Sequence, residues 1–239
     1  MKEMGIAEVI ERRPSVDPVV PWRHYLRTMR GEILWLPGLL TLLCAALVLL
    51  NRAEPRNARM VVMIYLEVLL PALTAWAASS LLVSDPTLEL HLTTPRQPGR
   101  TLLERYALLL GAAAAWALAM LVWTRAWAIP IAPPSGWLRW ALVWAAPTTG
   151  LSSLAGWAAL ASRSPTVGTV AATLPWSTQL VFREWFMATP ARRTVFLFLS
   201  LAAPGSPQWP LNRAFWLTLG VVLLALSLRL LQDEERYVV

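Results

Sequence analysis

Charge is what this sequence has least of. Of its 239 residues, 15% are Asp, Glu, Lys or Arg and 56% are hydrophobic, whereas about 25% of an ordinary soluble domain is charged. A water-soluble fold of this length needs more polar surface, so the composition points to an integral membrane protein. Cysteine is almost missing. The single one, Cys44, stands inside an apolar run, which excludes a disulfide framework and a cysteine metal site. The two histidines, His24 and His91, both fall in polar segments. The Gly150-Leu-Ser-Ser stretch looks like the turn of a serine hydrolase, but no span supplies a histidine base for it. There is no H-E-x-x-H, no paired aspartates and no metal-ligating cluster. A membrane enzyme acting on lipids is therefore the weaker reading. The phosphate-loop pattern G-x-x-x-x-G-K-[ST] is absent too, so any ATP hydrolysis belongs to another chain.

Long Leu, Ala and Val runs fill the sequence, with fourteen tryptophans and nineteen prolines. At about 20 residues per crossing helix, the apolar runs are 34–50, 60–83, 105–127, 138–161, 166–186 and 212–231. The expected fold is all-α and polytopic: a six-helix transmembrane domain over 34–232, with polar segments at 1–33 and 233–239. The run "VFLFLSLAA" (195–203) is about half the length a span needs and precedes "PGSPQWP". It predicts a short re-entrant segment within 187–211 rather than a seventh span. The first thirty residues hold charges and prolines but no apolar h-region, which argues against a cleaved signal peptide.

The net charge of +7 follows from arginines gathered at membrane edges and does not indicate a nucleic-acid partner. Lys2, Arg12, Arg13, Arg23, Arg27 and Arg30 precede the first apolar run, and Arg52, Arg56 and Arg59 follow it. By the positive-inside rule both termini are cytosolic, and so is the polar stretch 84–104. In "PWRHYLRTMRGEI", Trp22, Leu26, Met29 and Ile33 recur at helical spacing while Arg23, Arg27 and Arg30 take another face. That pattern predicts an amphipathic helix lying in the membrane interface, in contact with lipid.

Glu67 is the acid deepest in a span, one turn before Pro71. An acid at that depth requires a partner or a polar cavity. Arg183 and Glu184, in "LVFREWF", fall at comparable depth on the fifth run, so a Glu67–Arg183 pair is expected. Pro71 and Pro175 each remove a helical hydrogen bond and predict kinks. Gly111, Ala115 and Ala119 recur every four residues, as do Ser152 and Gly156, the spacing at which small side chains let another helix come close.

The stretch "SDPTLELHLTTPRQPGRTLLERY" interrupts the apolar runs. Asp85 with Pro86 is a good helix start; Leu88, Leu90 and Leu92 offer apolar contacts, and Pro95 with "RQPG" ends the element. Asp85, Thr87, Leu88, Glu89, Leu90, Thr93, Thr94 and Pro95 resemble the cytosolic loop of ABC-2 type transporter permeases. The final "LNRAFWLTLGVVLLALSLRLLQDEERYVV" is similar to that family's last span, and "PWRHYLRTMRGE" to its elbow helix. The resemblance implies a plasma (inner) membrane permease subunit of an ABC exporter, without enzymatic activity or a cofactor of its own. It implies pairing with a second permease copy or a homologous permease, and with ABC ATPase subunits that bind ATP and Mg. Residues 84–104 would then be the coupling loop. The composition suits a lipophilic or amphiphilic cargo. A haem-exporter-like membrane subunit and a non-transporting membrane scaffold are the alternatives.

Overall fold

The structure, a computed structural model, describes residues 35–80, 98–127 and 136–232. Helices are the only regular elements among them. Six are long: α1 (Leu36–Leu50), α2 (Pro55–Ser80), α3 (Pro98–Ala126), α4 (Trp137–Ser162), α5 (Pro165–Val181) and α9 (Trp209–Gln232). Between α5 and α9 lie three short ones, α6 (Arg183–Met187), α7 (Pro190–Val195) and α8 (Leu199–Ala202). Three helices, Pro55–Ser80, Gly99–Ala126 and Trp209–Leu231, are long and apolar enough to cross a membrane. At 15 and 17 residues, α1 and α5 are shorter, and the 26 residues of α4 are diluted by Ser, Thr, Gly and Pro. The candidate interfacial helix lies outside the described residues, as does most of the polar stretch 84–104. Its last part, from Pro98, already belongs to α3.

Local chemistry sets the helix ends. Ser164 caps α5, its Oγ accepting from the Val167 N–H, and Pro165 follows at the first helical position, where a missing N–H costs nothing. Arg163 closes α4 in the left-handed region, at φ 55°, which turns the chain straight into α5. Gly136 enters α4 at φ 102°, a conformation that glycine adopts without steric cost.

Named contacts fix the helix directions. Between α2 and α5, Ser79 bonds Thr169, Trp76 bonds Thr173, and the Trp176 indole N–H donates to the Val68 carbonyl; the two run antiparallel. Gly156 of α4 faces Ala78 of α2, and Arg213 of α9 reaches both Glu67 of α2 and Val143 of α4. These three helices run parallel. Leu102, near the start of α3, packs with Leu160 and Leu231, near the ends of α4 and α9, so α3 is reversed. Thr41 of α1 bonds Tyr65 of α2 at 2.7 Å, while the end of α1 turns directly into α2. Thus α1, α3 and α5 point one way and α2, α4 and α9 the other.

α4 sits at the centre, against α2, α5 and α9. Glycines make the close crossings. A Cβ at Gly150 would lie 2.5 Å from the Trp216 ring, and one at Gly220 would lie 3.0 Å from the Thr149 carbonyl. A Cβ at Gly168 would lie 2.6 Å from the Ala155 carbonyl. The stripe of Gly111, Ala115 and Ala119 does not serve this purpose: all three are exposed, and Gly111 has open space where a Cβ would go.

Several large apolar side chains face outward while a set of polar ones lies inside. Leu39, Leu42 and Leu47 of α1, Leu118 of α3, Leu174 of α5 and Val221 of α9 are exposed, while Glu67, Thr148, Ser152, Gln179, Asn212 and Arg213 are buried. Water would favour the reverse for many of these side chains. The arrangement is compatible with a membrane protein.

Candidate functional site

The most concentrated polar chemistry among the described residues surrounds Glu67. Pro71 has no N–H to donate and its ring crowds the carbonyl four residues back, which is that of Glu67. The helix responds by widening: Tyr65–Leu69 form a π turn in which the Leu70 N–H bonds the Tyr65 carbonyl. Such single π turns recur at functional sites. Glu67 lies at the centre of this one and is fully buried.

Its partner is Arg213, on the first turns of α9. The guanidinium Nη2 of Arg213 donates to Glu67 Oε1 and, at 2.5 Å, to Ser200 Oγ. Nη1 donates to the Val143 carbonyl at 3.4 Å. That carbonyl is available because Pro147, inside α4, stands where its helical donor would be. The Trp209 indole N–H donates to Ser200 Oγ at 2.9 Å. The same ring lies 5.5 Å from the Arg213 guanidinium and 5.2 Å from that of Arg139, within cation–π range.

The Glu67 carboxylate accepts two further bonds, from the backbone N–H of Ser200 at 2.9 Å and of Leu201 at 2.6 Å. It therefore ties α2 to α9 and to α8 together. Two amides complete the seat of the short segment. Gln179 Oε1 accepts the Leu197 N–H at 2.6 Å. Asn212 Nδ2 lies within 3.0 Å of the carbonyls of Arg193, Thr194 and Phe196. Phe196, Leu197, Phe198 and Leu199 are buried in consequence. A buried backbone outside regular helix must find partners, and here side chains of the long helices supply them.

The expected Glu67–Arg183 pair is not what forms. α5 ends at Val181, and Phe182 leaves the helix at ψ 33°, so the next residues turn outward. Arg183 and Glu184 are both exposed on α6. In the sequence Arg213 stands at the start of the last apolar run, where an arginine is ordinary. Depth gave no signal, because Arg213 is the second residue of that run; only the start of α9 at Trp209 carries it inside a helix. Asn212, Gln179, Ser200 and Pro147 carried no signal either, since each is ordinary in a membrane helix.

A second polar group joins α3 to α4. The Tyr106 hydroxyl bonds Ser152 Oγ at 2.5 Å, Ser153 Oγ at 2.6 Å and the Thr149 carbonyl at 3.1 Å. Ser152 is spoken for as a packing residue, since its own hydroxyl also bonds the Thr148 carbonyl.

Of the other residues singled out in the sequence, Trp22, Arg23, Arg27 and Arg30 lie outside the described residues. So do Asp85, Thr87, Leu88, Glu89, Leu90, Thr93, Thr94 and Pro95. The chain matches no known protein family, no curated protein and no solved structure.

Proposed function

We propose that this chain is the permease subunit of an ABC-2 type exporter: six crossing helices move a lipophilic or amphiphilic compound, powered by ATP and Mg on a separate ATPase subunit. Both termini and the loop 84–104 are cytosolic in this reading, and a second permease copy or a homologous chain completes the pathway. One observation carries the proposal beyond the sequence resemblance. The long helices alternate in direction, and residues 196–200, in the segment between the fifth and the last, are buried at one end of the bundle. The residues flanking the coupling-loop stretch, Ser80 and Pro98, lie at the opposite end, with the α4–α5 turn. A permease gripping its ATPase on one side and closing its pathway on the other needs that separation. ATP-driven movement reaches the helices only through an element that binds the ATPase differently in its two states.

The test is recovery of a partner. The tagged chain, extracted from its native membranes in mild detergent, should bring down a protein carrying the phosphate-loop sequence, identified by mass spectrometry. Glu89→Ala with Leu90→Ala should lower that recovery or uncouple ATP hydrolysis. A chain that brings down no such ATPase, or a double variant with unaltered recovery and hydrolysis, would refute the coupling-loop assignment.

A further inference from the structure

Residues 190–203 are held in place in an uncommon way. The two helices in this stretch have six and four residues, far short of the roughly 12–15 at which an isolated helix begins to hold itself. Its order therefore comes from its seat. The polar grips of Gln179, Asn212 and Glu67 all fall on its main chain: the N–H groups of Leu197, Ser200 and Leu201, and the carbonyls of Arg193, Thr194 and Phe196. Water can replace each of these bonds if the segment withdraws.

Two further features favour withdrawal as a unit. Pro190 begins the segment, and Pro204, Gly205 and Pro207 follow it, with Gly205 exposed and open space around it. Beneath it, Glu67 and Arg213 are bonded to each other. Lifting the segment leaves that pair closed, whereas separating the two charges would strand each in an apolar interior.

We infer that residues 190–203 form a detachable strap, clipped by its main chain to Gln179, Asn212 and Glu67, which lifts from the Glu67–Arg213 pair while the six long helices stay packed. The closed state dominates because lifting exposes Phe196, Leu197, Phe198 and Leu199, all buried when the strap is seated. The inference does not depend on what the chain transports or on any ATPase partner.

Thiol accessibility tests it. In a Cys44→Ser background, Leu197→Cys reports the strap and Leu151→Cys, on α4, reports the bundle; both positions are 0% exposed. Reaction with a water-soluble maleimide is followed in the purified full chain, with and without Gln179→Ala plus Asn212→Ala, which removes clips but no charge. The thiol at position 197 should react at least about tenfold faster without the clips, because the two substitutions remove the side-chain partners of one N–H and three carbonyls of the strap. The thiol at position 151 should stay equally slow in both. An unchanged rate at 197 would make the strap a fixed part of the core, and equal acceleration at both sites would mean that bundle and strap open together; either result overturns the inference. Should the double variant not be produced, Ser200→Ala, which removes the strap's one hydroxyl bonded to Arg213 and Trp209, must give the same selective acceleration on a smaller scale, and its absence counts equally against the strap.

Discussion

Glu67 and Arg213 stand 146 positions apart and meet as a salt bridge whose side chains are 0% and 1% exposed. Through it the second long helix is joined to the last, and Ser200 joins the short segment to both. A buried ion pair is weak evidence of stabilisation, because desolvation of both charges offsets most of their attraction. What the structure shows is a junction: the guanidinium has acceptors on α2, α4 and α8 at once.

The two charges should therefore behave unequally when removed singly and jointly. Glu67→Leu alone leaves a buried guanidinium without its counter-ion and is expected to cost about 3–5 kcal/mol. Arg213→Leu alone should cost a comparable amount. The double variant should recover a large part of either loss, since neither charge is stranded. Unfolding of the four proteins in the same detergent gives the coupling energy. Additive losses would mean that the pair does not act as a unit.

The glycine crossings make a second set of expectations. A methyl group at Gly168 meets the Ala155 carbonyl at 2.6 Å, and one at Gly220 meets backbone atoms of Thr149 at 3.0 Å. Backbone cannot swing aside as a side chain can, so Gly168→Ala and Gly220→Ala should each cost about 1–3 kcal/mol. Gly111→Ala has nothing to meet and should be near neutral. Thermal midpoints in detergent distinguish the three, and a Gly111→Ala as damaging as the others would contradict the outward placement of that stripe.

The Tyr106 hydroxyl offers a milder contrast. Tyr106→Phe removes the shared partner of Ser152, Ser153 and the Thr149 carbonyl. Interhelical hydrogen bonds in membrane proteins contribute about 0.6 kcal/mol on average and up to about 1.7, so a loss within that range is expected. Ser152→Ala should cost less, because the tyrosine keeps Ser153 and Thr149. The same unfolding measurement ranks the two.

Helix content and the approximate positions of the long runs were legible in the sequence because a continuous apolar run reports length directly. Ends were less so. Local chemistry, not hydrophobicity, sets the start of α5 at the Ser164 cap and Pro165, and α5 stops at Val181. That second boundary decided where Arg183 goes: in an unbroken helix it would share a face with Trp176 and Gln179, by the i+4 and i+7 spacing. The actual partner of Glu67 comes from a contact between distant helices, which periodicity cannot report. Pro147 shows the same limit. Its absent N–H can be read from one residue, but the use of the freed Val143 carbonyl by Arg213 requires the fold.

Alternation of helix direction has a consequence that can be measured from the two sides of a membrane. If all six long helices cross, with the N-terminus cytosolic, the α1–α2 turn and the loop before α9 share the outer side, and the α4–α5 turn faces the cytosol. Ala53, Gly205 and Arg163 are exposed in those three places. In the Cys44→Ser background, Ala53→Cys and Gly205→Cys should react with an impermeant maleimide in intact cells, and Arg163→Cys only after the cells are opened. The arrangement has little freedom to be partly right. A polar turn held within the hydrocarbon would leave backbone groups without partners, each costing several kcal/mol, so a helix that failed to cross would move its flanking turn to the other side. Reaction of positions 53 and 163 from the same side would therefore remove at least one crossing from the six, and the permease reading with it.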